Sequence, residues 1–165
     1  MPEFDRETII HAPLADVWAF HQDAQKALPM LSPPEAGVEI ESVEPEPPTL
    51  GTVVTIRARV PFRGKMRWIA KYVEFVEPRA VVFGAEARFV DEQQQGPFKR
   101  WKHHHEFEAI DDKTTRLRDH VHYSVGLGPI GMIADVLIVR RQLKSMFAYR
   151  EQQLRKVFPA KPGPR

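Results

Sequence analysis

Along most of this chain apolar and polar residues alternate with a period of two, and at two places the period becomes helical. Phe4 to Ile10 predicts a first strand. Ala12-Pro13 ends it where a proline can open a helix. In the following LADVWAFHQDAQKAL, Leu14, Val17, Trp18, Phe20 and Ala24 fall at helical spacing, with Asp16 suited to the positive N-terminal end. A break at Gln22 to Gln25 predicts a second short helix, ending before Pro33-Pro34. Strands follow from Gly37 to Val43 and from Thr52 to Val60, joined by the proline-rich EPEPPTLG loop. Thr52, Val54, Ile56, Ala58 and Val60 are expected to face inward, Arg57 and Arg59 outward. Lys65 to Val76 is a long strand with apolar residues on both parities, a pattern a β-bulge would produce. Val81, Phe83, Ala85, Ala87 and Phe89 carry one parity into Asp91 and Gln93. From beyond Pro129 to about Phe158 the period is helical, and Ile133, Val136, Leu137, Leu143, Phe147 and Leu154 share a face. Arg140 falls inside that stripe and Arg150 near its edge; Arg141, Gln142 and Ser145 fall outside. The proline-rich PAKPGPR tail, 159–165, is expected to be disordered.

The most informative stretch is Phe89 to Val125. Trp101, His103, His105, Phe107 and Ala109 alternate with Lys102, His104, Glu106 and Glu108. Past a polar turn at Asp111 to Lys113, Thr115, Leu117, Asp119, Val121, Tyr123 and Val125 share one face. Antiparallel pairing about that turn sets Glu108 against Arg116 and Glu106 against Arg118 outside, and Phe107 against Leu117 and Trp101 against Tyr123 inside. Two charge matches and two apolar matches select this register. It places His105 opposite Asp119 on the apolar face. A face carrying Trp, Phe, Leu, Val and Tyr beside His, His and Asp is either a core with an internal polar network or the wall of a ligand cavity.

Strand, two short helices, six strands and one long helix predict a single α+β domain over 1–158, an antiparallel sheet curled around a terminal helix. At 165 residues it can bury a core and still hold a cavity. The absence of cysteine excludes disulfides, thiolate catalysis and Cys-ligated metals. A net charge of +2 from 24 basic and 22 acidic residues lacks the concentrated excess that nucleic-acid binding needs. No apolar run approaches a membrane span, and the MPEFDRET start has no signal-peptide pattern, so a cytoplasmic location is expected.

Three segments, IIHAPLADVWAFHQD, VDEQQQGPFKRWKHHHEFE and LGPIGMIADVLIVRRQLKSMFAYR, together resemble the cyclase/dehydrase branch of the START-like (SRPBCC) superfamily. The signature D-x-Q-x-x-G-P-[FY]…W-x-H-x-H-x-F of a subgroup is matched by Asp91, Gln93, Gly96, Pro97, Phe98, Trp101, His103, His105 and Phe107. The resemblance implies a seven-stranded helix-grip fold that binds hydrophobic ligands between sheet and helix, with catalysis in only some members.

Strand parity nominates Phe89, Asp91, Gln93, Trp101, His103, His105, Val121 and Tyr123 as ligand-facing, and the helical stripe adds Val136, Arg140 and Phe147. His103 and His105 with Asp119 would make a metal set, but His104 must point the other way, and no metal or cofactor is expected. Arg140 either snorkels to the rim or is buried against a carboxylate, Asp119 first and Asp91 second. An apolar wall with few polar groups favours binding of a small hydrophobic or aromatic, lipid- or polyketide-like ligand. The alternatives are a cyclase or dehydratase using His105 as acid or base, Asp119 to set its tautomer and Arg140 to stabilise an enolate or phenolate, and a protein-interaction domain. The ligand and the oligomeric state are left open by the residues.

Overall fold

The computed structural model describes residues 2–60, 63–79, 84–125 and 138–160. A first strand, β1 (Glu3–Ile10), is followed by helices α1 (Leu14–Gln22) and α2 (Ala24–Met30) and a 3-10 turn (Pro34–Ala36). Then come β2 (Glu39–Glu44), β3 (Val53–Val60), β4 (Gly64–Val76), β5 (Glu86–Gln95), β6 (Arg100–Asp111) and β7 (Thr114–Ser124), and α3 (Arg140–Val157) closes the described chain. All neighbouring strands are antiparallel, in the order β1-β7-β6-β5-β4-β3-β2. This is the helix-grip arrangement, a curved seven-stranded sheet with a long C-terminal helix and two short helices after the first strand. No helix among the described residues is long and apolar enough to cross a membrane. Val81, Phe83, Ile133, Val136, Leu137 and the 161–165 part of the tail lie outside the described residues.

The break between α1 and α2 falls at Asp23, whose carboxylate accepts a hydrogen bond from Lys26 N at 3.1 Å. On the other side of that break, Leu14, Val17 and Trp18 press into the sheet, with the Trp18 ring 5.5 Å from Phe107 and 6.0 Å from Phe89. A second apolar cluster joins Phe4, Trp101, Val121, Tyr123, Leu143 and Phe147, so α3 is seated on β1, β6 and β7. Arg6 on β1 pairs with Glu151 on α3 outside that seam.

The β6–β7 hairpin has the predicted register: Trp101 faces Tyr123, His105 faces Asp119, Phe107 faces Leu117 and Glu108 faces Arg116. Burial alternates without a break from Trp101 to Ala109. Arg116 pairs with Glu108 at 2.8 Å as expected, whereas Arg118, opposite Glu106, turns to Glu7 on β1 at 3.3 Å. The undecided facing of β4 is explained by a bulge. Tyr72 pairs with Asp91 and Glu74 with Val90, so Val73 is an extra residue, and it is exposed. Trp68, Ala70 and Tyr72 therefore face inward before it and Phe75 after it, the latter 5.4 Å from Trp18. A compensating extra residue, Gln94, sits on β5.

Candidate functional site

Between the sheet, α1, α2 and α3 lies a cavity of about 760 Å³. Its wall is apolar and aromatic, with Val54, Ile56, Trp68, Tyr72, Phe98 and Trp101 contributing, and its rim carries the exposed Glu35, Arg59 and Lys65. Apart from that rim, the lining includes His21 from α1, Asp91 from β5, His103 and His105 from β6, and Arg150 from α3, beside Ser32, Tyr72, Gln142 and Ser145. Asp119 on β7, 2% exposed, is packed against this group.

The two carboxylates and two imidazoles are cross-linked diagonally. His103 Nε2 donates to Asp119 Oδ1 at 2.9 Å, and His105 Nε2 donates to Asp91 Oδ2 at 3.0 Å. His105 Nδ1 is also 3.1 Å from Asp119 Oδ1, but without the alignment of a hydrogen bond. Diagonal bonding follows from the registers, since Asp91 lies directly across from His103 and Asp119 directly across from His105. Rings of this length reach one pleat further along the neighbouring strand. Arg150 Nη1 is 3.5 Å from Asp119 Oδ1 and adds the permanent positive charge.

Electrostatics follow from that packing. The imidazoles of His103 and His105 are 3.7 Å apart between ring centroids, so two charges there would repel strongly. Burial, and then the charge of His105, push the His103 pKa down to about 4. Burial would lower His105 too, but its contacts with Asp119 and Asp91 outweigh that and raise it. Burial opposes ionisation of Asp119, yet His103, His105 and Arg150 hold it well below the usual carboxylate range; Asp91 is lowered in the same way by His105 and His103. With Asp91 and Asp119 ionised, Arg150 and a protonated His105 bring the cluster to neutrality.

Arg140 is not part of this site. It is exposed, and Arg150 occupies the position proposed for it. On a helical wheel both arginines lie roughly 40° from the centre of the stripe set by Leu143, Phe147 and Leu154, on opposite sides. Their ten-residue separation puts them roughly 15 Å apart along the axis, and only Arg150 stands at the height of Asp119. Gln142 and Ser145, expected away from the apolar stripe, line the cavity. Val121, Tyr123 and Phe147 face inward as expected but do not line the cavity, because α3 packs directly over them. Gln93 does not face the cavity either. Its Nε2 donates to Phe98 O at 2.7 Å and its Oε1 accepts from Phe98 N at 3.4 Å, bracing the turn that carries Phe98. Phe89, Asp91, Trp101, His103 and His105 do line it. Val136 lies outside the described residues.

Gly96 belongs to the same brace. A Cβ there would come 2.7 Å from Gln93 Cδ, so Gly96→Ala is expected to displace the Gln93 side chain and cost about 1–3 kcal/mol. Urea unfolding of Gly96→Ala, Gln93→Ala and the double variant checks it: the two costs should be less than additive, and simple additivity would contradict the clash.

His21 is not among the residues that strand parity or the C-terminal stripe nominates, although Leu14, Val17, Trp18 and His21 form a regular helical stripe. Its Nδ1 donates to Val17 O at 2.8 Å, since a carbonyl can only accept, and Nε2 is therefore left with a lone pair. That Nε2 is buried with no hydrogen-bond partner among the described residues, and burial lowers the His21 pKa to about 4. Arg150 Nε is likewise buried without a partner among the described residues. His21 and Arg150 both line the cavity through other atoms of their side chains.

Ligand atoms of Asp91, His103 and His105 lie within 4.8 Å of one another, the spacing of a metal set, as do those of Glu3, His120 and His122 on the outer face. In the inner set both Nε2 atoms are engaged by carboxylates, and Arg150 already supplies a cation beside Asp119.

The family model described as "Polyketide cyclase / dehydrase and lipid transport" matches residues 10–147. No curated protein sequence matches the chain. Among solved structures, a START superfamily protein from Mycobacterium smegmatis is 14% identical, with a TM-score of 0.63 over 94% of this chain and 98% of its own. Norcoclaurine synthase from Thalictrum flavum, in complex with dopamine and hydroxybenzaldehyde, is 15% identical, with a TM-score of 0.63 over 98% of this chain and 89% of its own. The di-domain ARO/CYC BexL from the BE-7585A biosynthetic pathway is 18% identical, with a TM-score of 0.67 over 96% of this chain and 48% of its own. At these identities the likeness is one of fold.

Proposed function

Because the chain belongs to the polyketide cyclase/dehydrase and lipid transport family, we propose that it binds a small hydrophobic or aromatic, lipid- or polyketide-like molecule in the cavity between the sheet and α3. The observation that carries this reading is a cavity of about 760 Å³ with an apolar wall and a compact set of polar groups. That is the size and makeup of small-molecule pockets, in which apolar area supplies affinity and a few polar groups fix orientation. The aromatic wall of Trp68, Phe98 and Trp101 takes the ring or chain of the ligand. A phenol, enol or ketone oxygen matches the polar residues of the lining, His21, Asp91, His103, His105 and Arg150.

Native mass spectrometry of protein purified from its host, together with a thermal-shift screen against fatty acids, quinones and aromatic polyketides, tests this directly. Ala70 lies between Trp68 and Tyr72 on the cavity wall. Ala70→Trp is expected to fill the space and weaken binding at least tenfold, about 1.4 kcal/mol, with the unliganded fold retained. Binding of the same ligand unchanged by Ala70→Trp would place it elsewhere and sink the reading.

A second reading, acid–base catalysis of the cyclase or dehydratase kind, is favoured by the opposite pKa displacements of two touching imidazoles. Neutral His103 has its Nδ1 lone pair free to take a proton from carbon beside a carbonyl. The proton from carbon stays on His103 and the enolate oxygen is stabilised by Arg150, while His105, whose Nε2 and Nδ1 face Asp91 and Asp119, has no N–H turned to the substrate. Asp119 and Asp91 hold the two rings in those tautomers. Once a substrate is found, full turnover by His103→Ala would exclude this role.

A further inference from the structure

On the outer face of the sheet, away from the cavity, strand alternation brings His120 and His122 to the same side of β7. Their Nε2 atoms are 2.7 Å apart. The opposite nitrogen of each ring faces a carboxylate on β1: His120 Nδ1 contacts Asp5 Oδ1, and His122 Nδ1 is 3.3 Å from Glu3 Oε1. An ionised carboxylate only accepts, so each favours the proton on the Nδ1 that faces it. Both Nε2 atoms then turn lone pairs towards one another. At that separation a proton on one Nε2, shared as a hydrogen bond, relieves the repulsion, and a metal ion held by both nitrogens can take that proton's place.

We propose that His120 and His122 bind a borderline divalent transition-metal ion, zinc, nickel or copper, through their Nε2 atoms. Glu3 is the adjoining carboxylate, its ligand atom within 4.8 Å of those of both histidines. Asp5 is the positioning residue, fixing the His120 tautomer in the manner of the carboxylate–histidine–metal triads. Imidazole with a carboxylate selects these ions over magnesium or calcium, which demand oxygen ligands. The rings are half-buried, so an ion can enter from solvent while the sheet holds them in place. His104 adds a third imidazole nearby, with ring centroids 5.9 Å from His120 and 5.6 Å from His122. Lys102, across from His122, is the opposing charge and is exposed on a flexible stem. None of the proposed ligands lines the cavity, so the site does not depend on what the cavity holds.

Isothermal titration of tag-free protein with zinc, and cobalt absorption as a spectroscopic readout, tests it. The expected result is one saturable equivalent, lost in His120→Ala and in His122→Ala and weakened about 10- to 100-fold in Asp5→Asn. Circular dichroism melting of the metal-free variants shows whether each is folded. No zinc uptake by the wild-type protein, or uptake unchanged in the double alanine variant, overturns the proposal. Loss of the ion in Asp91→Asn with His120 and His122 intact also overturns it, by assigning the metal to the inner cluster.

Discussion

Replacing Asp119 by alanine is expected to lower the free energy of unfolding by about 3–5 kcal/mol, the cost of removing one partner from a buried ion pair. The carboxylate is 2% exposed and stands beside three cationic or potentially cationic groups, Arg150, His103 and His105. Without it, Arg150 keeps a charge it cannot lose and His103 keeps a donor with no acceptor. Arg150→Met should cost less. Asp119 then keeps its hydrogen bond from His103 and its contact with His105. Urea unfolding of both variants at neutral pH checks the order of the effects. A loss for Asp119→Ala under about 1 kcal/mol would mean that water reaches the cluster and screens it, as at a surface pair.

Stability should be greatest near pH 6.5 and fall on both sides. His21 and His103 have folded-state pKa values lowered from 6.5 to about 4. As pH falls between those values, the unfolded chain takes protons that the native state refuses, so stability is lost progressively and the loss is complete near pH 4. At 1.36 kcal/mol per pKa unit, each fully buried ring contributes roughly 3 kcal/mol to that loss. His105 has the opposite sign. Its folded-state pKa is raised, so its contribution is fully present below 6.5 and disappears as pH rises through the raised value. Asp91 and Asp119 act only at lower pH, because their lowered values stabilise the fold above the ordinary carboxylate range and stop doing so below it. Urea midpoints measured from about pH 4 to about pH 9 should trace a maximum. A midpoint that holds steady from about pH 6.5 down to about pH 4 would show that His21 and His103 are not buried neutral.

The hairpin could be read residue by residue because β6 and β7 meet at one short turn, and charge and apolar matches leave a single register. The bonding within the cluster could not. Register gives directly opposed neighbours, while His103 and His105 reach diagonally, and the position of β5 beside β6, which brings Asp91 to His103, follows from no local turn signal. Alternation turned Val121 and Tyr123 inward correctly. It carries no information on whether the inner face meets a packed helix or open space, and Phe147 on α3 covers them. The wheel favours Arg140 because Ile133 and Leu137 widen the apolar stripe to its side, and a wheel carries no height along the axis, the coordinate that brings Arg150 to Asp119. His21 was legible from its helical spacing. Spacing alone does not distinguish a histidine in an apolar stripe from an ordinary core residue; the distinction comes from its second nitrogen, which has no partner among the described residues.

The extra residue at Val73 makes β4 a strand with two phases. An unbroken strand gives every second side chain to the interior, so lengthening a cavity along it adds wall at one fixed angle. Here the upper part, Trp68 to Tyr72, and the lower part, Phe75, meet the interior in different phases, joined by one solvent-facing valine. The aromatic lining around Trp101 and the packing around Trp18 can therefore change independently, each without rotating the other out of place. Removing Val73 would couple them like two gears on one shaft, and whichever part kept its pairing would turn the other to solvent.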